Sequence, residues 1–148
     1  MFIRNHSLFS FGHLLDVSSW LDRRLNPYRH SICINYQGHP LRIHWTRRAD
    51  TQLKATERGL IIEMQLYFSC VIKKRVLFHH EFALPTIPVN NDFSIAFHAV
   101  EAAACDPEAF VKNYPAKRIL DSAAALKMRP VELRFDYPAQ QWSGEFTV

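Results

Sequence analysis

A row of polar side chains between residues 60 and 80 is the first candidate for chemistry in this chain. The row occupies alternate positions of a segment without turn residues and comprises Glu63, Gln65, Tyr67, Ser69, Lys73 and Arg75. Such groups bind small polar ligands or transfer protons. A strand would hold them on one face, because its successive side chains point to opposite sides. We therefore expect a ligand-binding or acid–base surface here, the alternative being a face that only meets solvent.

Histidine is the second candidate, with eight copies in the chain. His44 lies in a predicted strand, and Glu63 and His79 lie on the polar side of the segment just described. If that segment folds back near residue 71, Glu63 and His79 come side by side. Two imidazoles and a carboxylate suit zinc or iron with open positions, where a metal-activated water would react. No His-x-His spacing fixes any pair, so isolated histidines are the alternative.

The three cysteines are Cys33, Cys70 and Cys105. Their odd number and wide spacing argue against a disulfide framework and against a zinc ribbon. Cys70 falls on the apolar side of its segment, where a buried thiol packs as a small hydrophobe. Reduced thiols indicate a cytoplasmic protein. We expect no membrane association, because no uncharged apolar run is long enough to span a bilayer.

The formal net charge of +4 is compatible with nucleic acid as a partner. The basic residues form short separate groups, and Lys73-Lys74-Arg75 is the group nearest to aromatic side chains. A single-strand binder stacks bases on aromatics that point outward from the basic face. Phe68 and Phe78 lie on the apolar side instead. Nucleic acid therefore stays a less favoured alternative.

The same segment, residues 60–80, is the predicted spine of the fold. Its apolar positions alternate with the polar row and include Ile62, Met64, Leu66, Phe68, Ile72, Val76 and Phe78. One strand of this length would span about 70 Å. We therefore expect a hairpin that closes near Ser69 or near Lys73-Lys74-Arg75.

Further strands are predicted from the same alternation. Residues 31–36 and 41–46 form a hairpin around Gly38, and residues 131–137 and 142–148 close the sheet.

Helical spacing predicts helices in four places. Residues 10–25 carry leucines and a valine at helical intervals, which predicts a helix that covers a sheet or a partner subunit. A short helix over residues 49–57 is expected to end at Gly59 in a left-handed conformation. Residues 93–105 begin with alternating apolar residues, but an alanine-rich stretch follows, and we predict a helix. A further helix is expected over residues 115–128.

These elements predict a single α+β domain over residues 1–148. A curved antiparallel sheet of about five or six strands would pack against the N-terminal helix and against a helical segment at about 93–128.

No phosphate loop, nucleophile elbow or zinc-protease signature is present, and no cofactor is implied. We expect a small binding or interaction protein that pairs with another protein or with itself as a homodimer. The first alternative is a metal-dependent hydrolase or other small-molecule enzyme that uses the polar sheet face. The second is a nucleic-acid-binding protein.

Overall fold

The computed structural model describes residues 14–68, 72–102, 117–119 and 123–148. In chain order its elements are α1 (Leu14–Leu25), β1 (Tyr28–Tyr36), β2 (His39–Thr46), α2 (Arg47–Ala55), β3 (Leu60–Phe68), β4 (Ile72–His79), β5 (Ile87–Pro88), β6 (Phe93–Ala102), β7 (Lys117–Ile119), α3 (Ala123–Lys127), β8 (Glu132–Asp136) and β9 (Ser143–Thr147). Within these ranges, no helix has the length and apolar character needed to cross a membrane.

The class is α+β as predicted, but the described strands form two mixed sheets, and the prediction of one curved antiparallel sheet was wrong. Sheet A has the order β1-β2-β8-β9, and sheet B has β4-β3-β6 with the short β5 and β7 paired to β6. Each sheet contains one parallel pairing, β2 with β8 and β3 with β6. Alternation in sequence identifies strands and hairpins. It carries no signal for parallel pairing between strands that are distant along the chain.

The core lies between the two sheets. Sheet A contributes Leu41, Ile43, Trp45, Leu133, Phe135 and Phe146, and sheet B contributes Leu60, Ile62, Met64, Leu66, Phe93 and Ile95. Aromatic rings meet across the interface, where Phe93 packs edge-on against Trp45 and Phe135 with ring centroids 5.5 and 5.3 Å apart. The side chains on the other faces of both sheets therefore point away from this core.

The two predicted hairpins are confirmed. In β1–β2 the turn residues Gln37 and Gly38 both have positive φ angles, 48° and 84°. This is the backbone that matches the twist of a two-residue hairpin. The Asn35 side chain accepts a hydrogen bond from the Gly38 N–H at 2.8 Å. The spine divides into β3, which ends at Phe68, and β4, which begins at Ile72, and the two strands pair antiparallel. The closing strands β8 and β9 pair antiparallel, as expected.

The helix predicted over residues 49–57 is α2, which begins earlier, at Arg47. Thr46 caps its start, because its side chain accepts a hydrogen bond from the Ala49 N–H. Ala49 and Leu53 are buried against the core. The predicted role of Gly59 was wrong, because α2 ends at Ala55, the capping residue Thr56 is already extended, and Gly59 has no positive φ.

The helix predicted over residues 93–105 was wrong. Residues 93–102 form β6, a strand inside sheet B that is bonded to β3 along its length. Ala96 and Ala99 lie on opposite faces of this strand, and both are buried. Tertiary packing thus overrides the helix propensity of alanine. Of the helix predicted over residues 115–128, the described part contains β7 and the short α3.

Candidate functional site

The predicted polar row lies on the face of sheet B that points away from the core. Glu63, Gln65 and Tyr67 are buried, Arg75 is half-buried and Lys73 is exposed. Ser69 lies outside the described residues. The structure therefore places most of the row on one face and covers its β3 members, as a binding pocket or an internal polar network would require.

Glu63 and His79 are neighbours, as the fold-back of the spine predicts. β4 pairs antiparallel with β3, and Leu77 is the direct partner of Glu63. His79 therefore reaches Glu63 from the diagonal position, and its Nε2 lies 2.9 Å from Glu63 Oε2. This distance is that of a strong imidazole–carboxylate hydrogen bond.

His98 contacts the same carboxylate from the other side. It lies on β6, where Gln65 is its partner in register, and its Nδ1 is 3.5 Å from Glu63 Oε1. This distance is long for a hydrogen bond, and among the described residues the buried Nδ1 has no other partner. The ring of Phe82 packs against both imidazoles, with centroids 5.1 Å from His79 and 5.7 Å from His98.

The ionisation of Glu63 is set by two opposing effects. Burial raises its pKa, while the contacts with His98 and His79 lower it and prevail, so the pKa lies below its ordinary value. Glu63 is therefore an anion that orients two imidazoles. When His79 donates from Nε2, its Nδ1 carries the basic lone pair, which is the arrangement of a carboxylate-oriented general base.

Sequence reasoning identified Glu63 and His79 but missed His98 and Phe82. His98 was missed because residues 93–105 were interpreted as a helix. The alternation of Phe93, Ile95 and Phe97 was the available signal, since it places His98 on the polar face of a strand.

The predicted metal set of His44, Glu63 and His79 is not brought together. His44 lies on β2 of sheet A and points away from the core, on the opposite side of the molecule from the Glu63 face. Its Nε2 is 3.2 Å from Glu132 Oε1. In the described part of the chain, no three His, Cys, Asp or Glu side chains are grouped so as to hold a metal ion.

The basic group of residues 73–75 is divided by the fold. Lys73 and Lys74 are exposed, whereas Arg75 turns back to the polar row, where its Nε donates a hydrogen bond to Gln65 Oε1. Gln65 in turn donates to Glu63 Oε1 at 3.2 Å. Arg75 thus belongs to the network around Glu63.

The second candidate site is the outward face of α1. The helix was expected to pack its apolar residues on the sheet or on a partner subunit. They do not pack on the sheet but point to solvent: Val17 is 56% exposed, Trp20 53%, Leu21 46% and Leu25 77%. We call these four residues the α1 stripe. The opposite side of the helix faces the domain through polar residues, and Ser19, Asp22 and Arg23 line a cleft with residues of β8 and β9.

An ion pair holds α1 in this orientation. Asp22 accepts hydrogen bonds from Arg48 of α2, from Nη1 at 3.0 Å and from Nη2 at 2.7 Å. The side-chain amide of Asn26 also donates to Asp22 Oδ1 at 3.1 Å. Polar contacts therefore fix the helix and leave its apolar stripe facing outward.

Comparison with family models, with curated protein sequences and with solved structures gives no match to this chain. Its function must therefore be inferred from these sites.

Proposed function

We propose that this protein is an interaction protein that forms a homodimer by packing α1 of one copy against α1 of a second copy. The observation that carries the proposal is the outward α1 stripe, with four large apolar side chains roughly half exposed or more. Contiguous apolar residues on a surface mark interaction sites, because leaving them in water is unfavourable. We place the dimer in the cytoplasm, on the grounds given by the cysteines.

The spacing of the stripe favours a second copy as the occupant. Val17 and Leu25 are each four positions from Leu21. An antiparallel pair of helices with its two-fold axis at Leu21 therefore sets Leu21 against Leu21 and Val17 against Leu25. Residues four apart form a continuous ridge, and two such ridges interdigitate at a crossing angle of about −50°. The same patch then serves both copies, as in most symmetric dimers.

Charge is compatible with this arrangement. In the antiparallel pair, Arg24 of one helix faces Ser18 of the other, so no like charges meet directly. Within its own helix Arg24 lies over the Trp20 ring, 4.8 Å from the ring centroid. One helix pair buries less than the roughly 800 Å² per partner of a standard interface. We therefore expect a dimer with a micromolar dissociation constant.

The alternatives receive less support from the geometry. A hydrolase that uses His44, Glu63 and His79 at one metal needs His44 on the other sheet. A nucleic-acid site at residues 73–75 needs Arg75, whose side chain binds Gln65. The hydrolase and the nucleic-acid-binding protein are hypotheses drawn from the sequence alone.

Sedimentation velocity between about 1 and about 200 µM tests the proposal. The wild type should move from a 17.3 kDa monomer toward a dimer as its concentration rises. Leu21→Glu places two carboxylates at the two-fold axis and should leave a monomer throughout. Leu84→Glu is the matched control, since Leu84 is 39% exposed and lies outside α1. It should dimerise like the wild type.

A cross-linking experiment locates the axis. Leu21→Cys, in a chain whose native cysteines are replaced by serine, should oxidise to a covalent dimer, because the axis brings the two thiols within disulfide distance. Leu84→Cys should not. A wild type that stays monomeric, or a Leu21→Glu variant that still dimerises, would refute the proposal.

A further inference from the structure

A basic groove lies on the outer face of sheet A, at the end that carries the β1–β2 turn. It has a volume of about 660 Å³ and is lined by Cys33, His39, Pro40, Arg42, Lys127, Arg129, Pro130, Val131 and Val148. Its size falls within the usual range for small-molecule sites. The groove is separate from both the α1 stripe and the Glu63 network.

Three side chains with permanent positive charge line the groove, and none of its lining side chains is acidic. They come from different elements: Arg42 from β2, Lys127 from α3, and Arg129 from the segment that follows α3. Within the described part of the chain, no carboxylate side chain lies within ion-pair distance of any of them. Glu132 is the register partner of Arg42, but its carboxylate contacts His44 and Arg134 at 3.2 and 3.1 Å.

Arg129 supplies the most specific observation. Its Nη1 donates to the backbone oxygen of Gln37 at 3.0 Å, which fixes the guanidinium at the hairpin turn. Its Nε is buried and has no hydrogen-bond partner among the described residues. A buried donor without a partner is costly, because it has lost its water. An anion bound in the groove beside this guanidinium would offset the cost through its charge, without reaching Nε itself.

From this constellation we propose that the groove is a binding site for a small phosphorylated organic molecule. The groove carries three permanent positive charges. It should therefore prefer a ligand with two or more negative charges over a ligand with a single carboxylate. One guanidinium group can donate two parallel hydrogen bonds to two oxygens of a phosphate. The exposed side chains of Pro40 and Val131 provide apolar surface for the uncharged part of the ligand.

Calorimetric titration with pyrophosphate and with ATP at low ionic strength is the first test, and acetate is the singly charged comparison. Pyrophosphate and ATP should bind, with ATP tighter because of its organic part, and acetate should not. Arg42→Gln should weaken ATP binding at least tenfold. Arg58→Gln removes an exposed arginine outside the groove and should leave binding unchanged.

The reactivity of Cys33 provides an independent measurement of ligand binding, since this thiol is exposed and lines the groove. In a chain with Cys70 and Cys105 replaced by serine, saturating ATP should slow the alkylation of Cys33 by iodoacetamide several-fold. The protection should disappear in Arg42→Gln, whose fold can be checked by circular dichroism.

Failure of pyrophosphate and ATP to bind, or equal loss in Arg58→Gln, would overturn the proposal. Binding of single-stranded DNA without binding of ATP would overturn it too, because the groove would then serve a polymer. Dimerisation through α1 is measured separately and does not depend on this result.

Discussion

Arg48 and Asp136, 88 positions apart in the sequence, form a two-point ion pair. Nε and Nη2 of the guanidinium donate to the two oxygens of the carboxylate, the former at 2.8 Å. The hydroxyl of Thr46 donates to the same carboxylate, and Arg48 also binds Asp22 of α1. Burial raises the pKa of Asp136, but these donors prevail and lower it. One side chain therefore joins α1, α2 and the end of β8.

Arg48→Met should destabilise the protein by about 2–3 kcal/mol, since it removes charge-assisted hydrogen bonds and leaves the Asp136 carboxylate without its main partner. Urea unfolding followed by tryptophan fluorescence measures the change. Arg47→Met is the matched control, because Arg47 is the exposed neighbour at the start of the same helix. Its effect should stay within about 0.5 kcal/mol. Similar losses in both variants would show that the ion pair contributes nothing specific.

The Glu63 network should make stability depend on acid pH. The pKa of Glu63 is lowered in the folded protein below its ordinary value of 4.5. The unfolded chain therefore binds the proton more readily, and the stability that ionised Glu63 contributes is present above about pH 5 and is lost as pH falls through the lowered pKa. Glu63→Gln should be less stable at pH 7 and should lose less stability between about pH 5 and pH 3 than the wild type.

The control for this experiment is Glu57→Gln, at an exposed glutamate in the loop after α2. It should keep the acid dependence of the wild type. Guanidinium unfolding at several pH values gives both curves. If Glu63→Gln retains the full decline, the acid sensitivity arises from other carboxylates, such as Asp136.

Gly144 marks a close approach of β9 of sheet A to β4 of sheet B. A Cβ atom there would lie 3.0 Å from Val76 Cγ1, 3.1 Å from Phe78 Cζ and 3.2 Å from the Arg134 oxygen. Gly144→Ala should therefore cost about 1–3 kcal/mol through overpacking. Adding Val76→Ala removes one clashing atom and should make the combined loss smaller than the sum of the two.

Gly59→Ala is the matched glycine control. Its added Cβ would meet only the Asp92 oxygen at 3.8 Å, an ordinary contact. Its backbone φ is not positive. Thermal unfolding should show no loss of stability. A loss equal to that of Gly144→Ala would mean that the close approach of β9 to β4 does not limit the packing.

Sequence reasoning predicted the features that depend on neighbouring residues. The alternation of apolar and polar residues predicted both hairpins. The predicted fold-back of the spine placed Glu63 beside His79. The predicted end of the first helix at residue 25 matches the end of α1. Each of these follows from side-chain parity or turn chemistry within a short window.

The remaining features depend on partners that no local pattern reveals. The alanines of β6 favour a helix in isolation, but β6 pairs with β3 inside sheet B, and Ala96 and Ala99 are buried on its opposite faces. The apolar spacing of α1 predicted a buried face. The Asp22–Arg48 ion pair instead fixes the helix by its polar side. His98 lies beside Glu63 because β3 and β6 pair in parallel, and no local pattern in the sequence indicates this pairing.

The placement of β8 between β2 and β9 has a consequence for synthesis on the ribosome. Thr46 at the end of β2 is 90 positions from Asp136 at the end of β8, so the β1–β2 hairpin is translated long before its neighbour. Until then the free edge of β2 exposes unpaired backbone groups and half of a hydrophobic core. Such edges pair readily with other chains, and contacts this distant along the chain form slowly. The β1–β2 hairpin is therefore open to wrong pairing from its synthesis until β8 has been made.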